Sequence, residues 1–364
     1  MKKIITLLLL CVCFLCGCQK ESADTVVDNF AKKVNDTKSY VLKGNMEIYA
    51  DEETFTYSIE VNYLQDNFYK AIMVNQTNNH EQIILRNSDA VYVITPSLNK
   101  SFKFQSDWPN NSSQAYLLSS IVKDMKNDTG KSITEENNQF IIKSSVNYPN
   151  NPELKYQKTT LDKDGNIKKN EVYDEKDKLK MKVTFSSIDY KAGLKETHFK
   201  LEDYIKETTN DEETKDDSQN KTTKDENNTT NSNEKCDKED CNSKQSGSIE
   251  NILYPLYVPT NTYLSKSDKV KTEEGDRVIL TFAGDKSFVL VEEKVNAAEE
   301  FEIVPVYGEP LIVSSTVGAL GTNSLTWTNG DMSYYLVGSD LSASELLAIG
   351  KSIGNNNLSV SKEK

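Results

Sequence analysis

Residues 206–248 read KETTNDEETKDDSQNKTTKDENNTTNSNEKCDKEDCNSKQSGS, with no aliphatic or aromatic side chain in the run. Such a stretch cannot bury enough surface to offset the entropy of ordering it. It is expected to be a disordered acidic linker, extended by its own repulsion. It cuts the chain of 364 residues into a body at 22–205 and a smaller one at 249–358, followed by a tail at 359–364. At roughly 150 residues per domain, two bodies are what a chain of this length accommodates. The formal net charge of −13 argues against nucleic acid as a partner and against an electrostatic hold on anionic lipid.

The first body opens with SADTVVDNFAKKVNDT, whose Val27, Phe30, Ala31 and Val34 share one helical face. Period-two patterns then take over. In TFTYSIEVNYL, residues Phe55, Tyr57, Ile59, Val61 and Tyr63 point one way and polar residues the other, as in a half-buried antiparallel strand. SYVLKGNMEIYA alternates similarly, and further strands are predicted at NFYKAIMVN, EQIILRN, AVYVIT, SFKFQ, QFIIKSS, LKYQKTTLD, NIKKNEVYD and KMKVTFSSI. Asp164-Gly165 marks a hairpin turn, and its glycine stands too early for a calcium loop. A second helix is predicted over SSQAYLLSSIVKDM, with a stripe of Leu118, Ile121, Val122 and Met125. In the second body, strands are predicted at RVILTFAG, SFVLVEEKV, LIVSST, SLTWT and MSYYLVG, with an Asn329-Gly330 hairpin between the last two. SASELLAIGKSI then reads as a helix whose Ser342 and Glu345 have capping-box spacing. The class is α+β.

The chain begins MKK and continues IITLLLLCVCFLC. The apolar run is shorter than the about 20 residues a spanning helix needs, and with its positive start it reads as a secretory signal peptide. Leu15-Cys16-Gly17-Cys18 resembles the bacterial lipobox, with Gly17 at the small-residue position. Residues 1–17 are then a lipoprotein signal, 18–21 the lipidated N-terminus, and Cys18 the acylated residue. Cys11, Cys13 and Cys16 act as small apolar residues and leave with the signal. A non-lipidated signal or an N-terminal anchor is the alternative. The expected location is the extracytoplasmic face of the cell membrane, held through the lipid on Cys18. Cys236 and Cys241 are a disulfide candidate outside the cytoplasm, closing a small loop.

One stretch goes beyond generic patterning: IILRNSDAVYVITPSLNKSFKFQSDWPNNSSQAYLLSSIVKDM, residues 83–125. It resembles Gram-positive sporulation-associated lipoproteins of the LolA-like superfamily, which includes LolA, LolB, RseB and the germination lipoprotein GerS. The resemblance covers roughly residues 20–205 and is strongest over 83–125. It implies an incomplete antiparallel β-barrel with helices over its concave face, and a hydrophobic cavity for acyl chains or a lipoprotein's lipid. The wall residues expected on that basis are Tyr57, Ile59, Tyr63, Phe68, Ile84, Val93, Phe102, Phe104 and Trp108. The same side chains serve equally well as a core packed against the two helices. A tethered receiver, chaperone or regulator fits a lipid-anchored chain better than a diffusing carrier. LTWTNGDMSYYLVGSDLSASELLAIGKSI resembles a small uncharacterised bacterial domain, which gives an additional α+β C-terminal domain and no activity.

No catalytic constellation is visible. HExxH is absent, and there is no GxSxG nucleophile elbow: Gly350-Lys351-Ser352-Ile353-Gly354 carries the letters but ends the predicted helix SASELLAIGKSI, where an elbow needs a strand-to-helix turn. Gly130-Lys131-Ser132 lacks the earlier glycine of a P-loop, Met125 standing there, and Gly318 and Gly321 do not make GxGxxG. His80 and His198, the chain's two histidines, lie far from the cysteines, so no zinc set forms. Asp51-Glu52 and Glu273-Glu274 read as solvated turns. The chain is expected not to be an enzyme and to need no metal or cofactor. Two functions follow. One is a lipid-binding module, with a sporulation or germination role implied by the resemblance. The other is a scaffold or regulator that grips an envelope protein such as a cell-wall hydrolase or an anti-sigma factor.

Overall fold

The structure is a computed structural model that describes residues 23–50, 53–205, 249–272 and 275–353. The lipobox and Cys18, the pair Cys236 and Cys241, and the acid pairs Asp51-Glu52 and Glu273-Glu274 lie outside the described residues.

Helix α1 (Ala23–Asn35) leads into β1 (Ser39–Ala50), β2 (Glu53–Leu64), β3 (Phe68–Asn75), β4 (Glu81–Arg86), β5 (Val91–Thr95) and β6 (Lys100–Phe104). Helix α2 (Leu118–Asn127) follows. Then come β7 (Ser132–Glu136), β8 (Gln139–Ser145), β9 (Leu154–Asp162), β10 (Ile167–Asp174) and β11 (Leu179–Asp189). After residues 206–248, which lie outside the described residues, come β12 (Thr262–Lys271), β13 (Asp276–Gly284), β14 (Phe288–Lys294), β15 (Glu302–Val306), β16 (Gly308–Val313), β17 (Thr316–Gly321), β18 (Ser324–Asn329), β19 (Met332–Val337) and helix α3 (Ala343–Lys351).

Two open sheets result. The large one runs β15-β6-β5-β4-β3-β2-β1-β11-β10-β9-β8-β7, and the other β12-β13-β14-β19-β18-β17-β16. Every pairing is antiparallel except β15 with β6, which is parallel, Val304 standing opposite Phe102. The large sheet does not close, so it is the incomplete barrel that the resemblance implied. Its inner face carries α1, through Val27, Phe30 and Val34, and α2, through Leu118, Ile121 and Met125, all in one core. Gly165 turns the β9–β10 hairpin at φ 72°, pressed under Val26 and Phe30. The outer face of β3–β5 makes a smaller core of Phe68, Ile83, Leu85, Tyr92 and Ile94 beneath Phe199 and Leu201. The second sheet packs one face, including Leu280, Leu290, Trp327 and Leu336, against α3 and the strap at 249–258. The capping box at Ser342 and Glu345 is formed, and Gly330 turns the β18–β19 hairpin at φ 61°.

Some elements differ from expectation. Helix α2 begins at Leu118 and not near Ser112. The Ser113 amide donates to Asn147 O and the Gln114 amide to the Ser120 hydroxyl, so this stretch is held by the β8–β9 loop and a local turn. LIVSST is not one strand, because Ser314 at φ 51° turns β16 into β17. Strands β7, β12, β15 and β17 are not among the strands expected from the sequence.

Candidate functional site

The expected wall residues are mostly brought together, inside the large sheet. Tyr57, Ile59, Ile84, Val93, Phe102, Phe104 and Trp108 share the inner core with both helices. Tyr63 is half-buried at its margin, its ring 4.9 Å from that of Tyr40 and 5.0 Å from that of Tyr69. Phe68 lies on the other face, 5.7 Å from the Phe199 ring. The register explains this: Phe68 stands opposite Leu64, and its neighbour Tyr69 opposite Tyr63, so one step along β3 changes the face. The inner face at these residues is filled. Helices α1 and α2 cover part of it, and Val317 and Ala319 of β17 enter the same core.

Open space remains at one end of the half-barrel, where the two sheets meet. A cavity of about 660 Å³ lies there, within the size range of small-molecule sites. Its apolar wall comes from both sheets: Ile48 of β1, Leu154 of β9 and Met181 of β11 face Leu311 and Ile312 of β16. Of the expected wall residues, Ile84 and Trp108 reach it. Alternation within β11 already separates Met181, Val183 and Phe185 from their polar neighbours. No local pattern announces the contribution of β16, because it depends on how distant segments dock.

That docking is specific. Gln82 of β4 is buried, and its side chain behaves like a strand partner: Oε1 accepts from the Val317 amide at 2.7 Å and the Thr316 hydroxyl at 2.9 Å, while Nε2 donates to Val317 O at 3.2 Å. Ser106 donates to Glu309 Oε2 at 2.7 Å, and Asn111 donates to the same oxygen. On α2, burial pushes the Asp124 carboxyl up to about 6, opposed by a hydrogen bond from Ser113. Both cavity lysines face carboxylates: Lys180 and Lys351 each stand 3.9 Å from Glu153.

This arrangement can take up a molecule that has an apolar part. Neither histidine lines the cavity: His80 follows the β3–β4 turn, and His198 sits in a 3-10 turn bonded to Lys195. Among the described residues, no three His, Cys, Asp or Glu side chains are grouped to hold a metal, and no helix is long and apolar enough to cross a membrane.

No protein-family model matches the chain. Sporulation protein YdcC of Bacillus subtilis (strain 168) is 33% identical to it over 346 residues, covering 95% of this chain and 94% of that protein. Among solved structures, a chain of the Pseudomonas aeruginosa MucA/MucB complex aligns over 90% of this chain and 97% of its own length, at 13% identity and a TM-score of 0.31. LolA superfamily protein NE2245 from Nitrosomonas europaea aligns over 50% of this chain and 98% of its own, at 9% identity and a TM-score of 0.30. A chain from the CwlD amidase of Clostridioides difficile in complex with the GerS lipoprotein aligns over 48% and 99%, at 16% identity and a TM-score of 0.29.

Proposed function

The chain belongs to the family of the sporulation protein YdcC, and on that premise we propose that it is an extracytoplasmic lipoprotein of the cell envelope, active in sporulation, that takes up the acyl part of a lipid or of another lipoprotein. The observation that carries this reading is the cavity of about 660 Å³ between the sheets, with its apolar wall of Ile48, Leu154, Met181, Leu311 and Ile312. Anchoring through Cys18 is supported by the signal-like N-terminus and the lipobox. Ile84 and Trp108 of the expected wall line this cavity.

Native mass spectrometry with lipid extraction on residues 19–364 tests the reading, because that chain lacks the covalent anchor. Reproducible lipid adducts are expected, displaced by added fatty acid. Ala50→Trp and Ala348→Trp, which place bulk in the cavity from the end of β1 and from α3, are expected to abolish the adducts while leaving the melting temperature within a few degrees. A clean mass that does not shift on lipid titration would remove the acyl reading.

A second reading is favoured by one observation. Tyr254, Leu256 and Tyr257 are exposed on the strap, the last two beside the cavity. An apolar collar of this kind also suits an envelope protein partner. Specific capture of one such protein by the lipid-free chain, lost in Leu256→Asp, would support it.

A further inference from the structure

Resting on the acyl-binding reading, we propose that the cavity's ligand is an amphiphile with a neutral, hydroxyl-rich head group, the chemistry of a glycolipid. The apolar wall accounts for a tail; the rest of the lining decides the head. It carries the rings of Tyr49, Tyr148 and Tyr257 and the amides of Gln114, Asn150 and Asn151. Aromatic faces stack on the C–H faces of sugar rings, and amides match hydroxyls because each offers both donors and acceptors. The side chains of Gln114 and Asn150 have no partner among the described residues, so their hydrogen-bonding capacity is free for a ligand.

Charge argues against the common alternatives. A phosphate or carboxylate head needs an uncompensated cation. Lys180 and Lys351 share Glu153 at 3.9 Å, and Lys180 is also 3.9 Å from Asp174. Asn151, with its amide oriented to suit its neighbours, donates to Glu153 and accepts from Lys351, at 3.2 Å each. Glu309 adds a further carboxylate to the lining. An anionic head would meet carboxylates that already occupy both lysines, whereas a neutral polyol meets no such repulsion.

Titration of residues 19–364 with three probes of equal chain length, each below its micelle concentration, separates the cases: dodecyl maltoside, dodecanoate and dodecylphosphocholine, with maltose as the chain-free control. Dodecyl maltoside is expected to bind at least about tenfold more tightly than the other two, and maltose much more weakly. Gln114→Leu with Asn150→Leu is expected to erase that preference while leaving dodecanoate affinity within about twofold. Equal or tighter binding of dodecanoate would overturn the head-group inference and leave the acyl reading standing. Binding of none of the chain-bearing probes would sink both. Maltose binding as tightly as dodecyl maltoside would overturn the amphiphile and point to a free glycan.

Discussion

Glu292 is fully buried in β14, between Val278 and Tyr334 in register, and one of its oxygens has no partner among the described residues. The other accepts the Leu253 amide at 3.1 Å. Burial pushes its carboxyl up to about 7, and that hydrogen bond opposes the shift only in part. The native state therefore prefers the protonated form. The stability this provides is fully present below about pH 4.5 and is lost as pH rises toward about 7. Glu292→Gln keeps an acceptor for Leu253 and cannot ionise. It should match the parent at pH 4.5 and exceed it at pH 8 by on the order of 1–3 kcal/mol, measured by urea midpoints at both values. No sequence pattern isolates this residue, because Glu292 sits beside Glu293 and only the pleat decides which one is buried. Phe68 teaches the same lesson. In NFYKAIMVN both faces of the strand are apolar, so alternation alone could not assign Phe68 to the outer core or Tyr69 to the inner one. In β2 one face is polar, and there the inner residues Tyr57, Ile59 and Val61 were legible at once.

Apart from the buried interior strand β17, the strands that escaped the sequence are edges. Strand β12 is exposed along almost its whole length, β7 ends in Glu135 and Glu136, and β15 contains Pro305. Edge strands need no alternation, and the lysines, acids and prolines that protect them from stray pairing erase it. Strand β16, at the other edge of the second sheet, carries Pro310 in the same manner. Between central strands the constraint is steric. At the bulge of β1 against β11, a Cβ on Gly44 would stand 2.3 Å from Thr184 O, so a side chain must push two paired strands apart. Gly44→Ala should lower stability by about 1–3 kcal/mol. The expected signature is a lower denaturant midpoint with an unchanged slope.

At the scale of the whole molecule, the acidic run suggested two bodies, and the structure shows how tightly the segments on either side of it are joined. Strand β15 covers the β6 edge, and β17 reaches the inner core with Gln82 fixing its register. A parallel pairing between Lys100 and Glu302 leaves no trace in local patterning, so this part of the fold could not be read beforehand. Residues 19–205 alone would leave the β6 edge open and uncover the inner core where Val304, Val306 and Val317 pack. That fragment should self-associate in size-exclusion chromatography, where residues 19–364 elute as a smaller species. With Cys18 acylated as proposed, the tether is short: five residues to Ala23, at about 3.5 Å each, reach no more than about 18 Å. Helix α1 lies against the Gly165 hairpin, whereas the cavity is lined by Leu154 at the opposite end of β9. The mouth would then open away from the leaflet that holds the protein. The β15–β6 pairing has one more consequence. Residues 205 and 249 both belong to a single interlocked assembly, so the run between them closes a loop and does not moor two separable pieces. Its length can drift at little cost, since closure entropy grows only with the logarithm of loop size. A protease cut anywhere from 206 to 248 would leave two polypeptides that still co-migrate as one particle, as complementary halves of a split protein do.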